Sequence, residues 1–265
     1  MSPIDKNHIL NVAVESALAA SDIIMEGLNK RTVIDFKGPT NLVTDIDYKS
    51  EDIIKKIILH NFPDHNILAE ESKNQNNNKS DYLWIIDPLD GTTNFVHGYP
   101  SFAVSVAVSY KGILQVAAVL EMPHKKIYSA IKNQGAWCEG VPIKTSSTET
   151  IEHSLFVTGF GYIHEQKWEM NMELFKYFTH ISQGVRRLGA ASVDLCHLAS
   201  GAVDGFWEFD LKPWDTAAGV LIAQESGCEI SNLNGKPYDI FHDNILATNG
   251  KIHTLMVKEI KSYLN

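Results

Sequence analysis

An apolar run at residues 83–86 that ends on Asp87 and Pro88 does most to limit what this chain can fold into. Such a run before a breaker predicts a buried strand. Proline offers no ladder donor, so the strand is predicted to stop at Pro88. Asp90 follows, and then Gly91, Thr92, Thr93, Asn94 and Phe95. A strand end therefore carries paired carboxylates beside a turn whose hydroxyls and N–H groups can cradle an anion. Carboxylate oxygens suit hard cations such as Mg²⁺. Backbone N–H groups at a helix start suit phosphate. An Asp-Gly step alone predicts only a turn, because Asp, Pro and Gly are the commonest turn residues. The whole string, residues 84–95, points instead to metal-assisted phosphate chemistry.

The flanking sequence supplies alternating helices and strands. Ile9, Val12, Ala17, Ala20, Ile24 and Leu28 have helical spacing over residues 5–30, with Gly27 and Asn29 at a frayed end. Residues 37–41 form a loop by their Gly-Pro step. Residues 42–47 lead into a helix over 48–60, with Ile53, Ile54, Ile57 and Ile58 on one face. A short apolar run at 67–69 ends on Glu70 and Glu71, and the Asn-rich residues 73–80 read as a surface loop. Runs at 102–109, 113–120 and 126–131 predict an antiparallel meander turning at Gly112. A turn over 135–140, a strand at 155–158 and a helix over 168–181 follow. Then come a helix over 190–199, a strand at 206–209 and a helix over 214–226 stopped by Gly227. Mixed elements in this order predict α+β or α/β layers. With no internal repeat and no boundary, residues 1–265 are expected to form one domain.

Charge and cysteine content narrow the function classes. A net charge of −9 argues against non-specific binding to nucleic acid or an anionic membrane as the main activity. It does not exclude an anionic substrate, because bound cations invert the local field. Cys138, Cys196 and Cys228 are odd in number and form no Cys-x-x-Cys pair, so a reducing cytoplasm is expected. The first residues are polar and lack a signal-peptide core. Apolar stretches such as 113–120 are too short to span a bilayer.

Acidic residues close apolar runs in several separate places: Asp47, Glu70 with Glu71, Asp87 with Asp90, and Asp215. Singly, each reads as a cap or a solvated first-turn acid. Together, beside a phosphate-type turn, they read as catalytic. Gly189-Ala190-Ala191 at a helix start is a second candidate for binding an anion or hydroxyl. Close helix packing explains that string equally well. Glu208 stands among aromatics shortly before Asp215.

The string at 84–97, with blocks at 37–47, 69–72, 184–208 and 213–219, resembles the signature of the inositol monophosphatase family. Order and spacing are similar to those of its bacterial members. The resemblance implies an αβαβα sandwich of the type shared with fructose-1,6-bisphosphatase. It implies a lithium-sensitive, Mg²⁺-dependent phosphomonoesterase acting on a small phosphorylated polyol, with myo-inositol monophosphate the first expectation. By resemblance Glu70, Asp87 and the Leu89 carbonyl hold one Mg²⁺, and Asp87, Asp90 and Asp215 hold a second. Asp47 and Thr92 would orient the attacking water, while Gly91 and Thr92 N–H groups grip the phosphate. Gly189, Ala191 and Glu208 would contact the substrate, and Lys37 would lie in a mobile flap. Arg187 takes a structural role at a subunit interface, consistent with the homodimer the family implies. Ala190 departs from the Ser or Thr of many relatives, and Ala69 from a frequent Gly. Thr93-Asn94 stands where related adenosine 3′,5′-bisphosphate phosphatases often carry Lys-Glu, which favours inositol. Histidinol phosphate and fructose 1,6-bisphosphate remain alternatives, since fold does not fix substrate. A binding role in transcription antitermination, through RNA polymerase or a transcription factor and without direct nucleic-acid binding, is a further alternative.

Overall fold

Successive side chains of a strand point to opposite faces of its sheet, so a strand apolar at every position must be covered on both sides. That condition organises the molecule. The computed structural model describes residues 5–28, 34–36, 42–72, 80–162 and 164–264. The expectations for Lys37 and for residues 73–79 lie outside them.

The chain begins with helix α1 (Lys6–Leu28), an antiparallel pair β1 (Ile34–Phe36) and β2 (Leu42–Thr44), and helix α2 (Asp45–Asn61). Strands β3 (Asn66–Ala69) and β4 (Tyr82–Asp90) lead into the short helix α3 (Thr92–His97). Strands β5 (Phe102–Tyr110), β6 (Ile113–Met122), β7 (Lys126–Ile131), β8 (Gly135–Cys138) and β9 (Val141–Pro142) follow. Then come β10 (Phe156–Thr158), α4 (Gln166–Ile181), β11 (Val185–Arg186), α5 (Ala191–Ala199), β12 (Gly205–Phe209) and α6 (Pro213–Glu225). The described chain closes with β13 (Glu229–Ser231), β14 (Asn244–Thr248) and α7 (His253–Leu264).

Strands β3 to β9 form a seven-stranded sheet in sequence order, parallel at β3–β4 and antiparallel beyond. A five-stranded sheet runs β11-β10-β12-β14-β13. One face of the larger sheet, including Trp84, Ile86, Val104, Val106 and Val108, packs on α1 and α2. Its other face, with Ile85, Ala103, Ala107 and Ala117, packs on α5 and α6. Those two helices bury Leu195, Leu198 and Val220 against Phe206, Ile245 and Ala247 of the smaller sheet. Beyond it, Phe156, Trp207 and Leu246 pack on Leu174 and Phe178 of α4 and Met256 and Ile260 of α7. The order is helix, sheet, helix, sheet, helix: the expected αβαβα sandwich.

Several local expectations are corrected. β4 does not stop at Pro88. Its pairing with β5 runs through Asp87↔Ser105 and shifts register before Asp90↔Ala103, leaving Pro88 in a bulge where no ladder donor is required. α2 begins at Asp45, ahead of the expected start, because Thr44 caps it with Asp47. Gly27 is not a frayed end: it is buried in α1, and a Cβ there would lie 2.7 Å from Ile46 Cδ1. Residues 135–138 form strand β8 where a turn was expected. By length and composition α1 passes as a membrane-crossing helix, contrary to the reading that the apolar stretches are too short. Its Ile9, Val12, Ala13 and Ile24 face is buried against the larger sheet and α2. All three cysteines are free.

Candidate active site

The first turns of α2 build one wall of the site. Asp47, Ser50 and Glu51 are buried at helical spacing on one face. The Thr44 amide and hydroxyl donate to Asp47 Oδ2 at 2.8 and 2.6 Å. Ser50 Oγ donates to the Pro88 carbonyl at 2.7 Å and so braces the β4 bulge. The Glu71 amide donates to Glu51 Oε2 at 2.8 Å, which fixes the chain beside Glu70. One helical face thus positions Asp47, the bulge and the end of β3.

The bulge presents Asp87 and Asp90. The Leu89 amide donates to Asp87 Oδ1 at 3.0 Å. Asp90 Oδ2 receives the Ser192 amide at 2.8 Å and the Ser192 hydroxyl at 2.6 Å. Gly91 turns the chain into α3 at φ 87°, a left-handed conformation that favours glycine. A Cβ there would also come within 3.0 Å of the Ser101 carbonyl oxygen. The Thr92 hydroxyl lies 2.9 Å from Asp47 Oδ1 and 3.1 Å from the Leu89 carbonyl oxygen. A hydroxyl has one proton to give, and the charged acceptor makes the stronger bond, so Asp47 takes it.

Asp215 enters from the third turn-forming position of α6. Pro213 starts that helix with its fixed φ, and the Lys212 amide donates to Asp215 Oδ2 at 2.6 Å. Asn94 donates to the carbonyls of Ser101 and Leu188, at 2.6 and 2.7 Å, tying α3 to the turn at Gly189. The Asn94 side-chain amide is thus spent on backbone carbonyls.

A cavity of about 680 Å³ joins these parts. Glu70, Asp87, Leu89, Asp90, Gly91, Thr92 and Asp215 line one end. Gly189, Ala191, Arg187, Asp194 and Glu208 are also among its lining residues, as is Gly159. Asp47 lies behind Thr92 and is fully buried. The expected ligands Glu70, Asp87, Leu89, Asp90 and Asp215 and the expected substrate contacts Gly91, Thr92, Gly189, Ala191 and Glu208 all line this cavity, with Asp47 one hydrogen bond away, while Glu71 does not line it. Burial raises the carboxyls of Asp194 and Glu208 well above their ordinary values, and Arg187, which lines the cavity, opposes that rise only in part, so its role is not confined to an interface. His97 is exposed on α3 and takes no part. Sequence reasoning missed Ser192, Asp194, Gly159 and the brace Ser50. Ser192 and Asp194 follow the Gly189 block along the first turn of α5, which was the available signal.

Burial dominates the electrostatics. It is the largest cause raising the carboxyl of Asp87 well above its ordinary value, and Glu70, Asp90 and Asp215 add repulsion. Asp90 is pushed up to about 6 by burial, against the opposing bonds from Ser192. Asp215 is raised by burial, then by Asp90 and Glu70. Asp47 is raised by burial against three lowering hydrogen bonds. Such crowding disfavours several anions together unless a cation joins them. As the side chains stand, no three acidic, histidine or cysteine groups among the described residues already converge as an ion cage. Uncompensated carboxylates repel one another, and the donor set, all hard oxygens, fits a small divalent cation such as Mg²⁺.

Comparison with known proteins identifies the family and fold. Residues 5–265 match the inositol monophosphatase family. The chloroplastic phosphatase IMPL1 of Arabidopsis thaliana is 47% identical over 259 residues, covering 96% of this chain and 70% of that protein. A putative Nus factor SuhB of Neisseria meningitidis serogroup B is 36% identical, covering 97% of this chain and all (100%) of the relative. The solved inositol monophosphatase of Anabaena (Nostoc) sp. PCC 7120 superposes with a TM-score of 0.87 at 39% identity, covering 97% of this chain and 96% of that one.

Proposed function

Because the chain belongs to the inositol monophosphatase family, we propose that it is a Mg²⁺-dependent phosphatase of small polyol monophosphates, with myo-inositol monophosphate the preferred substrate. The observation that carries this reading is the Thr92–Asp47 hydrogen bond, 2.9 Å long, set at the edge of the acid-lined cavity.

Glu70, Asp87, the Leu89 carbonyl, Asp90 and Asp215 are the groups that would hold Mg²⁺. Bound there, the metal supplies Lewis-acid polarisation of the phosphate and a lower pKa for water. The protein does the rest. Thr92 gives its own proton to Asp47 and keeps its lone pairs for the proton-bearing edge of a water. That pairing orients the water's oxygen towards phosphorus. Asp47 is itself held by both donors of Thr44, so the relay has one geometry. The Gly91 and Thr92 amides, at the start of α3, would take the phosphate oxygens. Glu208 is buried, and its side chain makes no hydrogen bond among the described residues. Its oxygens are free to accept from two neighbouring hydroxyls of the substrate, with Gly189 and Ala191 shaping the same end of the cavity. Lithium inhibition belongs to this reading through the family resemblance, as does a homodimer. A cytoplasmic setting rests on the free thiols.

A phosphate-release screen over inositol, sugar, histidinol and nucleotide monophosphates tests the proposal. The highest kcat/KM is expected for inositol monophosphate, with no turnover in excess chelator and recovery on adding Mg²⁺. Undiminished turnover in chelator overturns it. The SuhB relatives carry the name Nus factor, and that name supports a second reading as a partner of the transcription machinery. The acidic net charge of −9 favours protein over RNA as the partner. Capture of RNA polymerase by a catalytically dead Asp87→Asn variant separates the two roles.

A further inference from the structure

We propose that Gly159 is a positioning residue for Glu208, holding open the space in which its carboxylate reads the substrate, and that Asn171 fixes this seat. The inference rests on the reading of Glu208 as the acceptor for substrate hydroxyls.

β10 and β12 are parallel neighbours whose last aligned pair is Thr158↔Trp207. Gly159 follows the last residue of β10 and sits beside Glu208, which is still within β12 and paired with Ile245 of β14; both line the cavity. A Cβ on Gly159 would lie 2.3 Å from Glu208 Oε1, 2.4 Å from Oε2 and 2.5 Å from Cδ. Real Cβ atoms do not come so close, so the carboxylate occupies the volume that any other residue would fill. Conformation is not the reason for glycine here, since Gly159 is absent from the positive-φ positions. Space is the reason. Among the described residues no donor holds the Glu208 carboxylate, so its direction is set by the room beside Gly159.

The position of Gly159 is itself fixed. Asn171, in the middle of α4 and 2% exposed, donates from Nδ2 to the Gly159 carbonyl at 2.5 Å. Its Oδ1 accepts the Trp207 indole N–H at 2.7 Å. Thr158 Oγ1 donates to the Trp207 carbonyl at 2.5 Å. A buried amide is costly unless both ends are used. This one spends its two ends on the residue that makes the space and on the residue immediately before Glu208. A seat so braced leaves the carboxylate oxygens to a donor pair from outside, the chemistry of a vicinal diol.

The test is a double-mutant cycle of Gly159→Ala and Glu208→Ala, with kcat and KM measured on myo-inositol 1-phosphate and on p-nitrophenyl phosphate. Glu208→Ala is expected to lose about ten- to a hundredfold in kcat/KM on the inositol ester and far less on the nitrophenyl ester. Equal losses on both sink the reading of Glu208. Gly159→Ala is expected to lose about tenfold on the inositol ester, chiefly in KM, and to add nothing in the Glu208→Ala background. If Glu208→Ala discriminates but Gly159→Ala does not, or the two losses simply add, the seat is overturned and Glu208 stands. If Gly159→Ala alone does not fold, the clash requires that the double variant fold. A double variant that also fails to fold overturns the proposal.

Discussion

Ser192 holds Asp90 twice: its amide and its hydroxyl both donate to Oδ2, at 2.8 and 2.6 Å. The two donors belong to one residue at the start of α5, while Asp90 ends β4 in the larger sheet. The contact therefore fixes a carboxylate of one layer from the next layer. Removing a hydrogen-bond partner of a metal-binding carboxylate typically weakens affinity by about 10–100-fold. Ser192→Ala keeps the amide and is expected near tenfold. Alanine favours the helix, so the fold should persist. Titration calorimetry with Mg²⁺ gives the answer, and an unchanged affinity would show that the hydroxyl only fills space.

Asp87→Asn should separate stability from activity. Asp87 is 2% exposed and repelled by Glu70, Asp90 and Asp215. Neutralising it relieves that repulsion in the metal-free protein, so Tm without Mg²⁺ is expected to rise. Turnover should disappear, and so should most of the rise in Tm that Mg²⁺ gives the wild type by binding the folded state. A metal-free Tm that falls on substitution would refute this account of the acid cluster.

Thr92→Val removes the hydroxyl that donates to Asp47 Oδ1 at 2.9 Å while keeping the shape. Loss of a positioned proton acceptor costs about 10²–10⁴-fold in rate, and the loss is expected in kcat with Mg²⁺ affinity little changed. Thr92→Ser should retain most activity. Equal kinetics for Val and Ser would remove Thr92 from the water relay.

Stability should also fall in mild acid through a residue far from the site. His65 Nδ1 accepts the Trp84 indole N–H at 2.9 Å, and its ring stacks on Phe62 and Tyr82 at 4.7 and 4.5 Å. Burial, the largest cause, holds its pKa below the ordinary 6.5. The unfolded chain then binds the proton more readily than the folded one. The stabilisation is complete above about pH 6.5 and drains away as pH falls towards the lower folded value. Asn at this position offers an acceptor that does not titrate. His65→Asn is expected to flatten the loss of Tm between about pH 7 and 5 relative to wild type; parallel curves would place the acid sensitivity elsewhere.

Patterns that depend on one element were legible in the sequence. The helical spacing of α1 and the β-branched runs of β5 to β7 report their own burial, because each is covered in the way its period demands. The acids were legible as chain-end features, and the family resemblance gathered them. What stayed hidden depends on two distant segments meeting. Nothing near Pro88 announces that Ser50, from α2, holds its carbonyl and lets the strand run on through a bulge. Gly159 looks like a break in the chain until Glu208 is seen beside it. Asn171 sits at a polar position of a helix pattern, and only the fold shows that it points inward. β13, β14 and α7 were not read at all: β13 is short, and β14 is apolar because smaller-sheet strands and two helix layers surround it.

The placement of α6 has a consequence for the order in which the protein is made. The larger sheet is contiguous in the chain, complete once Pro142 has been synthesised. The helix that covers its Ile85, Ala103 and Ala107 face, and that brings Asp215, is not finished until Glu225. A growing chain therefore carries a finished sheet with one oily side bare for many residues of elongation. Such surfaces are where nascent chains aggregate or are met by chaperones. Premature stop codons ahead of α6 should yield insoluble product, while the loss of α7 alone, which covers only the outer face of the smaller sheet, should be borne far better.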